Sequence, residues 1–285
     1  LTAQPSATSA QALISQELVA PSQTPTKIKT PTKTRTPALT SVPSQIVDAN
    51  GVSMVLVPAG EFIMGIESIG DITADEGPAH KVSMDAFYID KYEVTNVLYK
   101  VCVDSGACEQ PKNTTFNNLF SYYGNSEFDN YPVIYIDWNK AKTYCEWRGA
   151  YLPTEAQWEK AARGTDGRTY PWGEERVSCW WANYSCEGRT TPVGNYENGK
   201  SVYGAYDMIG NVWEWVNDWY DKDYYKKLGA SAVNPQGPSH GQYRIIRGSP
   251  WYGYASNARV TDRYKFNPGY SDVGVGFRCA KDANP

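Results

Sequence analysis

The chain has 285 residues, with 22 Tyr and 10 Trp set among 24 Gly and 18 Pro. Such a profile argues for an irregular, loop-rich domain packed on aromatic anchors, not a helical bundle. The net charge of −4 excludes a basic nucleic-acid-binding core, and no apolar run approaches the ~20 residues that cross a bilayer.

Residues 1–46 are rich in Thr, Ser, Pro, Gln and Ala, and read as an extended tail or linker. Lys27, Lys29, Lys33 and Arg35 against Glu17 leave this segment at +3, so the remainder carries −7. Pro25, Pro31, Pro37 and Pro43 recur every six residues, which is two turns of polyproline II. An extended segment of that length reaches about 60 Å. The composition also resembles O-glycosylated stalks, with Thr26, Thr32 and Thr34 as acceptors. A basic tail and an acidic body make other copies of this chain the expected partner of residues 1–46; an ordinary solvated tail is the alternative.

From Val47 to residue 285 the composition is that of a globular α+β domain. SMVLVPAGEFIMG, ending at Gly65, reads as a two-stranded hairpin, and FYIDKYEVT as a further strand. Thr95 caps a helix running to about Asp104, and Asp137 caps a second over DWNKAKTYCEWRG. Thr154 and Gln157 form a capping box for a third, EAQWEKAARG. Short strands and loops rich in Gly, Trp and Tyr follow to the end.

Six cysteines allow fifteen pairings. Closeness suggests Cys102 with Cys108 and Cys179 with Cys186, leaving Cys145 with Cys279; free buried thiols are the alternative. A pairable set suits an oxidising compartment and an exported, extracellular or cell-surface protein. Asn113 and Asn183 begin N-x-[ST] sequons. His80 and His240 are the two histidines, too few for a zinc site, with a structural role expected for the first and exposure for the second. Asp75/Glu76 and Glu174/Glu175 read as loop charges.

The ordered series MVLVPAGEFIMG, FYIDKYEVTN, YPVIYIDWNKAKTYCEW, LPTEAQWEKAARG, YPWG, TPVGNY, GAYDMIGNVWEWVNDWY, RG-x-x-W and GFRC resembles the formylglycine-generating enzyme (sulfatase-modifying factor) family. The resemblance runs from about Met54 to Cys279 and implies that family's C-type-lectin-like fold. The family oxidises a cysteine of a sulfatase peptide, with copper(I) held by two thiolates between the RG-x-x-W and GFR motifs. Here the corresponding window, Gly248 to Arg278, contains no sulfur, so no copper and no catalytic residue are expected. Arg247, Gly248, Trp251, Arg259 and Arg263 keep the frame of that loop. DMIGNVWE resembles a family calcium loop, which implies side-chain oxygens from Asp207 and Glu214 and carbonyls from Gly210 and Val212. Trp251, Tyr252, Tyr254, Tyr264 and Tyr270 fill the core or meet a partner such as a glycan. The expected function is a non-catalytic structural or interaction protein that self-assembles through its tail; a ligand- or glycan-binding module and a metal-dependent oxidoreductase are the alternatives.

Overall fold

The computed structural model describes residues 42–67 and 75–283. Residues Thr26, Thr32 and Thr34, and the tail expectations built on them, lie outside the described residues. Strand β1 (Gln45–Val47) pairs antiparallel with β2 (Ser53–Val57), Ile46 standing opposite Met54. Leu56 N donates to Ser44 O, and Tyr88 Oη donates to Pro43 O at 2.8 Å. Regular pairing therefore starts upstream of Val47, because an edge ladder holds residues whose composition alone reads as tail. β2 continues to β5 (Phe87–Asp90), and β5 to β13 (Ala280–Asp282), so both ends of the domain share one four-stranded sheet.

The expected hairpin over SMVLVPAGEFIMG does not form. β3 (Gly60–Met64) leaves β2 and pairs with β4 (His80–Met84), which pairs in parallel with β9 (Ser231–Val233). Pro58 carries no N–H for a ladder. The buried Lys160 ammonium donates to Pro58 O at 2.7 Å and to Gly60 O at 2.9 Å, fixing the corner where the chain changes sheet. The strand read over FYIDKYEVT stops at Asp90.

A third sheet runs in the order β11 (Tyr264–Phe266), β10 (Arg244–Arg247), β8 (Trp213–Trp219), β12 (Val275–Phe277). A small hairpin, β6 (Thr115–Phe116) and β7 (Phe120–Ser121), stands apart. The three expected helices form with their expected caps. Thr95 Oγ1 accepts from Leu98 N before α1 (Asn96–Asp104), and Asp137 Oδ1 from Lys140 N before α2 (Trp138–Trp147). Thr154 and Gln157 close the reciprocal box before α3 (Glu155–Arg163). A five-residue helix, α4 (Tyr224–Leu228), has no apolar repeat long enough to be read in advance.

Every residue of α3 is buried, including two glutamates, a lysine and an arginine. It sits between the sheets, where Trp158, Ala161 and Ala162 pack against Val55, Val57, Ile89 and Ile245. A second cluster gathers around Tyr99, Tyr144, Trp215 and Phe277. All six cysteines are paired: Cys102–Cys108, Cys145–Cys279 and Cys179–Cys186. The second joins α2 to the chain between β12 and β13.

Cys145–Cys279 closes a span of 134 residues, against 6 and 7 for the other two bridges, and loop-closure entropy sets it above them. Replacing both Cys145 and Cys279 by Ser is expected to lower the unfolding free energy by about 5 kcal/mol, against about 2 kcal/mol for Cys102 and Cys108. Urea unfolding of the two double variants checks the ranking, and equal losses would contradict it.

Candidate functional site

Three of the five residues that frame Arg247 to Arg263 meet α3: Arg247, Gly248 and Arg263. Arg247 ends β10 and is wholly buried. Its guanidinium donates to Glu155 Oε1 at 2.8 Å, Glu159 Oε2 at 2.7 Å and Val260 O at 2.6 Å. Arg263 donates to both oxygens of Glu155, at 2.7 and 2.9 Å, and to Asp75 O at 2.7 Å. Arg163 and the Gly65 amide both donate to Glu159 Oε1. Burial opposes the Glu159 anion, but Arg247, Arg163 and the Gly65 amide outweigh it and hold the carboxyl below its ordinary range. Gly248 follows with φ +98°; a Cβ there would stand 3.2 Å from Met208 O and from the Trp158 ring.

Further along the loop, Arg259 donates to Glu76 Oε1 at 2.6 Å and Thr261 Oγ1 to Glu76 Oε2 at 2.6 Å. Glu76 is 1% exposed, so it is no loose loop charge as its sequence context suggests. The partners that bury it lie about 185 positions away, and no local spacing announces them. Trp251 packs on Phe116 and donates its indole N–H to Val273 O at 3.4 Å, a core role. Tyr252 and Tyr254 are 40% and 77% exposed, and Tyr264, in β11, 49%. Tyr252 Oη donates to Asp272 Oδ1 at 2.8 Å. Tyr270 stacks on Phe266 at 3.8 Å between ring centroids.

The calcium-loop residues lie before and within β8. Asp207, Gly210 and Asn211 have φ of +54°, +88° and +61°, a sharply turned backbone. A Cβ on Gly210 would lie 2.6 Å from Asn183 O, so only glycine fits there. Asp207 Oδ2 accepts from Gly194 N at 2.6 Å. Glu214 accepts from Arg278 Nε and Nη2, both at 2.7 Å, and from Trp158 Nε1 at 2.9 Å. Glu93, which the sequence did not single out, accepts from Asn211 Nδ2 and Val212 N. Burial, then the charges of Asp207 and Glu214, push Glu93 well above the carboxylate range, and burial pushes Asp207 up to about 6. Three buried carboxylates, Glu93, Asp207 and Glu214, thus share one guanidinium, Arg278, which donates to Glu214. Glu214 Oε1 takes one hydrogen bond, from Arg278 Nη2.

Asn183 is 1% exposed and its amide donates to Arg189 O at 2.9 Å, so the folded chain has no room for a glycan there. This corrects the sequon reading at Asn183. Asn113 is half-buried, its Oδ1 accepting from Thr115. His80 Nδ1 lies 3.0 Å from Pro78 O, and the ring packs on Tyr225, a structural position. His240 is exposed. No group of three or more His, Cys, Asp or Glu among the described residues is arranged to hold a metal. No helix among them is long and apolar enough to cross a membrane.

A family model described as sulfatase-modifying factor enzyme 1-like domain matches residues 40–283, and the chain belongs to that family. It is 32% identical to the formylglycine-generating enzyme of Streptomyces coelicolor, over 81% of this chain and 89% of that protein. It is 36% identical to the serine/threonine-protein kinase pkn1 of Chlamydia pneumoniae, over 81% of this chain but 38% of the kinase's length. Among solved structures, PvdO from Pseudomonas aeruginosa matches with a TM-score of 0.68 and 26% identity, covering 82% of this chain and 95% of PvdO.

Asp218 of β8 accepts from Glu155 N at 2.8 Å, and burial together with the Glu155 charge pushes its carboxyl up to about 7. The native state therefore holds a proton that the unfolded chain releases near pH 4, so this group's contribution falls as pH rises from about 4 to 7. Asp218→Asn keeps an acceptor for Glu155 N and cannot ionise. The wild type is expected to lose several degrees of Tm relative to this variant between pH 5 and 7.5, measured by scanning calorimetry; parallel curves would refute the assignment.

Proposed function

We propose that this chain is an exported, non-catalytic member of its family that works as a structural or interaction module. The observation that supports this most strongly is the state of its sulfur. The window from Gly248 to Arg278 has no cysteine, and all six cysteines of the chain are committed to disulfides, so a pair of thiolates for copper(I) does not fit this chain. Three disulfides agree with an oxidising compartment. Arg247 and Arg263 of the loop serve α3 and Arg259 serves Glu76, while Tyr252 and Tyr254 are exposed.

The partner we propose is a second copy, drawn by the +3 charge of residues 1–46 against the −7 of the rest. Light scattering after size exclusion tests this on the full chain and on a chain lacking residues 1–41, a cut that leaves β1 intact. Association of the full chain alone, weakening with salt, is the expected outcome; two identical monomers would sink the reading.

The exposed Tyr252, Tyr254 and Tyr264 favour a second reading, a module that binds a ligand such as a glycan on this loop. Tyr254→Ala would then lose a glycan-array signal that the wild type gives.

Calcium, where bound, would be held by Asp207 and Glu214 with the carbonyls of Gly210 and Val212, in a stabilising role. Chelation by EGTA is expected to lower Tm and added calcium to restore it, a gain of about 3 kcal/mol at a hundredfold excess over Kd. Asp207→Asn should abolish the response, and a Tm indifferent to both treatments would count against the site.

A further inference from the structure

A cleft of about 430 Å³ opens beside β11, lined by Asp75, Glu76, Tyr220, Asn257, Asp262 and Lys265. Most of its charges are already committed. Glu76 is held by Arg259 and Thr261, and Arg263 by Glu155. Asp75 Oδ2 accepts from Tyr220 Oη at 2.8 Å, and no ion pair to Asp75 forms among the described residues. Asp262 is the exception to good order. It is 6% exposed, and its Oδ1 receives only long contacts, 3.4 Å from Asn257 Nδ2 and 3.5 Å from Arg259 Nη2. Its Oδ2 is buried with no hydrogen-bond partner among the described residues. A buried carboxylate oxygen with no donor loses its hydration and gains nothing in return.

The missing group must be a hydrogen-bond donor, and the surroundings say it carries positive charge. Asp75 has no ion-pair partner among the described residues, and Asp262 has only the long Arg259 contact of 3.5 Å, which leaves its Oδ2 bare. One wall is the Tyr220 ring, which already accepts a cation on its face, with Lys265 Nζ 3.9 Å from the centroid. A metal ion needs several oxygens converging on one point, whereas an N–H donor needs a single free oxygen. We propose that this cleft binds an alkylammonium or guanidinium head group, which donates to Asp262 Oδ2 while Asp75 adds its charge. The volume suits a ligand the size of an amino-acid side chain with its stem. The head group can come from a free amine or from a basic peptide side chain, such as those in TPTKIKTPTKTRTP of this chain. The site stands apart from the assembly reading, since a free amine would bind whether or not copies associate.

Glu76, Arg259, Arg247 and Asn257 face Asp262; burial, then Glu76, push its carboxyl up to about 7. A cation selects the ionised form, so binding should weaken about tenfold per pH unit below that value. Titration calorimetry of the full chain in calcium-saturated buffer, with agmatine as one probe and the peptide as the other, provides the test. Saturable one-to-one binding of agmatine is expected, with at least a tenfold loss in Asp262→Asn while that variant's Tm is kept or raised. Tighter binding of the peptide would assign the head group to a basic side chain, and equal or weaker binding to a free amine. If Asp262→Asn fails to fold, Asp75→Asn should weaken binding in its place. No saturable binding of either probe, equal binding by wild type and folded variant, or displacement of agmatine by magnesium would each overturn the proposal, and none of them touches the assembly result.

Discussion

The salt bridges between α3 and the two arginines that bracket the Arg247–Arg263 loop are the constraint on which the rest of the domain depends. A helix buried on every side must bring its charged residues inside, and each ionised group there requires a counter-charge and hydrogen bonds. Glu155 and Glu159, four residues apart, present their carboxylates along one side of the helix. Arg247 spans both, Arg263 takes the first and Arg163 the second. The Gly65 amide and the Asp218 carboxylate complete the set. Segments from four distant parts of the chain are thereby held on one helix. Net stabilisation from buried ion pairs is modest, because desolvation offsets most of the Coulomb attraction; removing one partner alone leaves an uncompensated charge and costs roughly 3–5 kcal/mol. The network therefore sets position more than it sets stability.

That arrangement explains how a loop can keep its shape while its chemistry changes. Arg247, Gly248 and Arg263 are spoken for by α3, and Arg259 by Glu76. Trp251 is taken up by the aromatic cluster around Phe116. Tyr252 to Asn257 carry none of these contacts to α3. Tyr254, Ala255 and Ser256 are exposed and available to meet solvent or a partner without disturbing the scaffold. A second buried set, Arg278 with Glu214 and the Trp158 indole, ties the C-terminal strands to the same helix.

Local chemistry made part of this legible in advance. Thr95, Asp137 and the Thr154–Gln157 box act within three residues of themselves, so their spacing predicts their hydrogen bonds. The hairpin reading over residues 53–65 failed for the opposite reason. Alternation puts Val55 with Val57 on one face and Phe62 with Met64 on one face, but does not say which strands pair, and the corner is set by Lys160 about a hundred residues away. Glu76 and Asp262 were passed over on the same ground: nothing near either in sequence signals that distant segments will bury it.

By itself the sequence determined the helix caps, the order of family motifs and the absence of sulfur between Gly248 and Arg278, because each is a property of residue identity and short spacing. Only the tertiary structure decided that Asn183 is sealed from solvent, that Glu214 is shared with Arg278 and that Asp262 is left with a bare oxygen. Burial and charge compensation are sums over everything packed around a group. Those neighbours come from anywhere in the chain, so no local pattern records them.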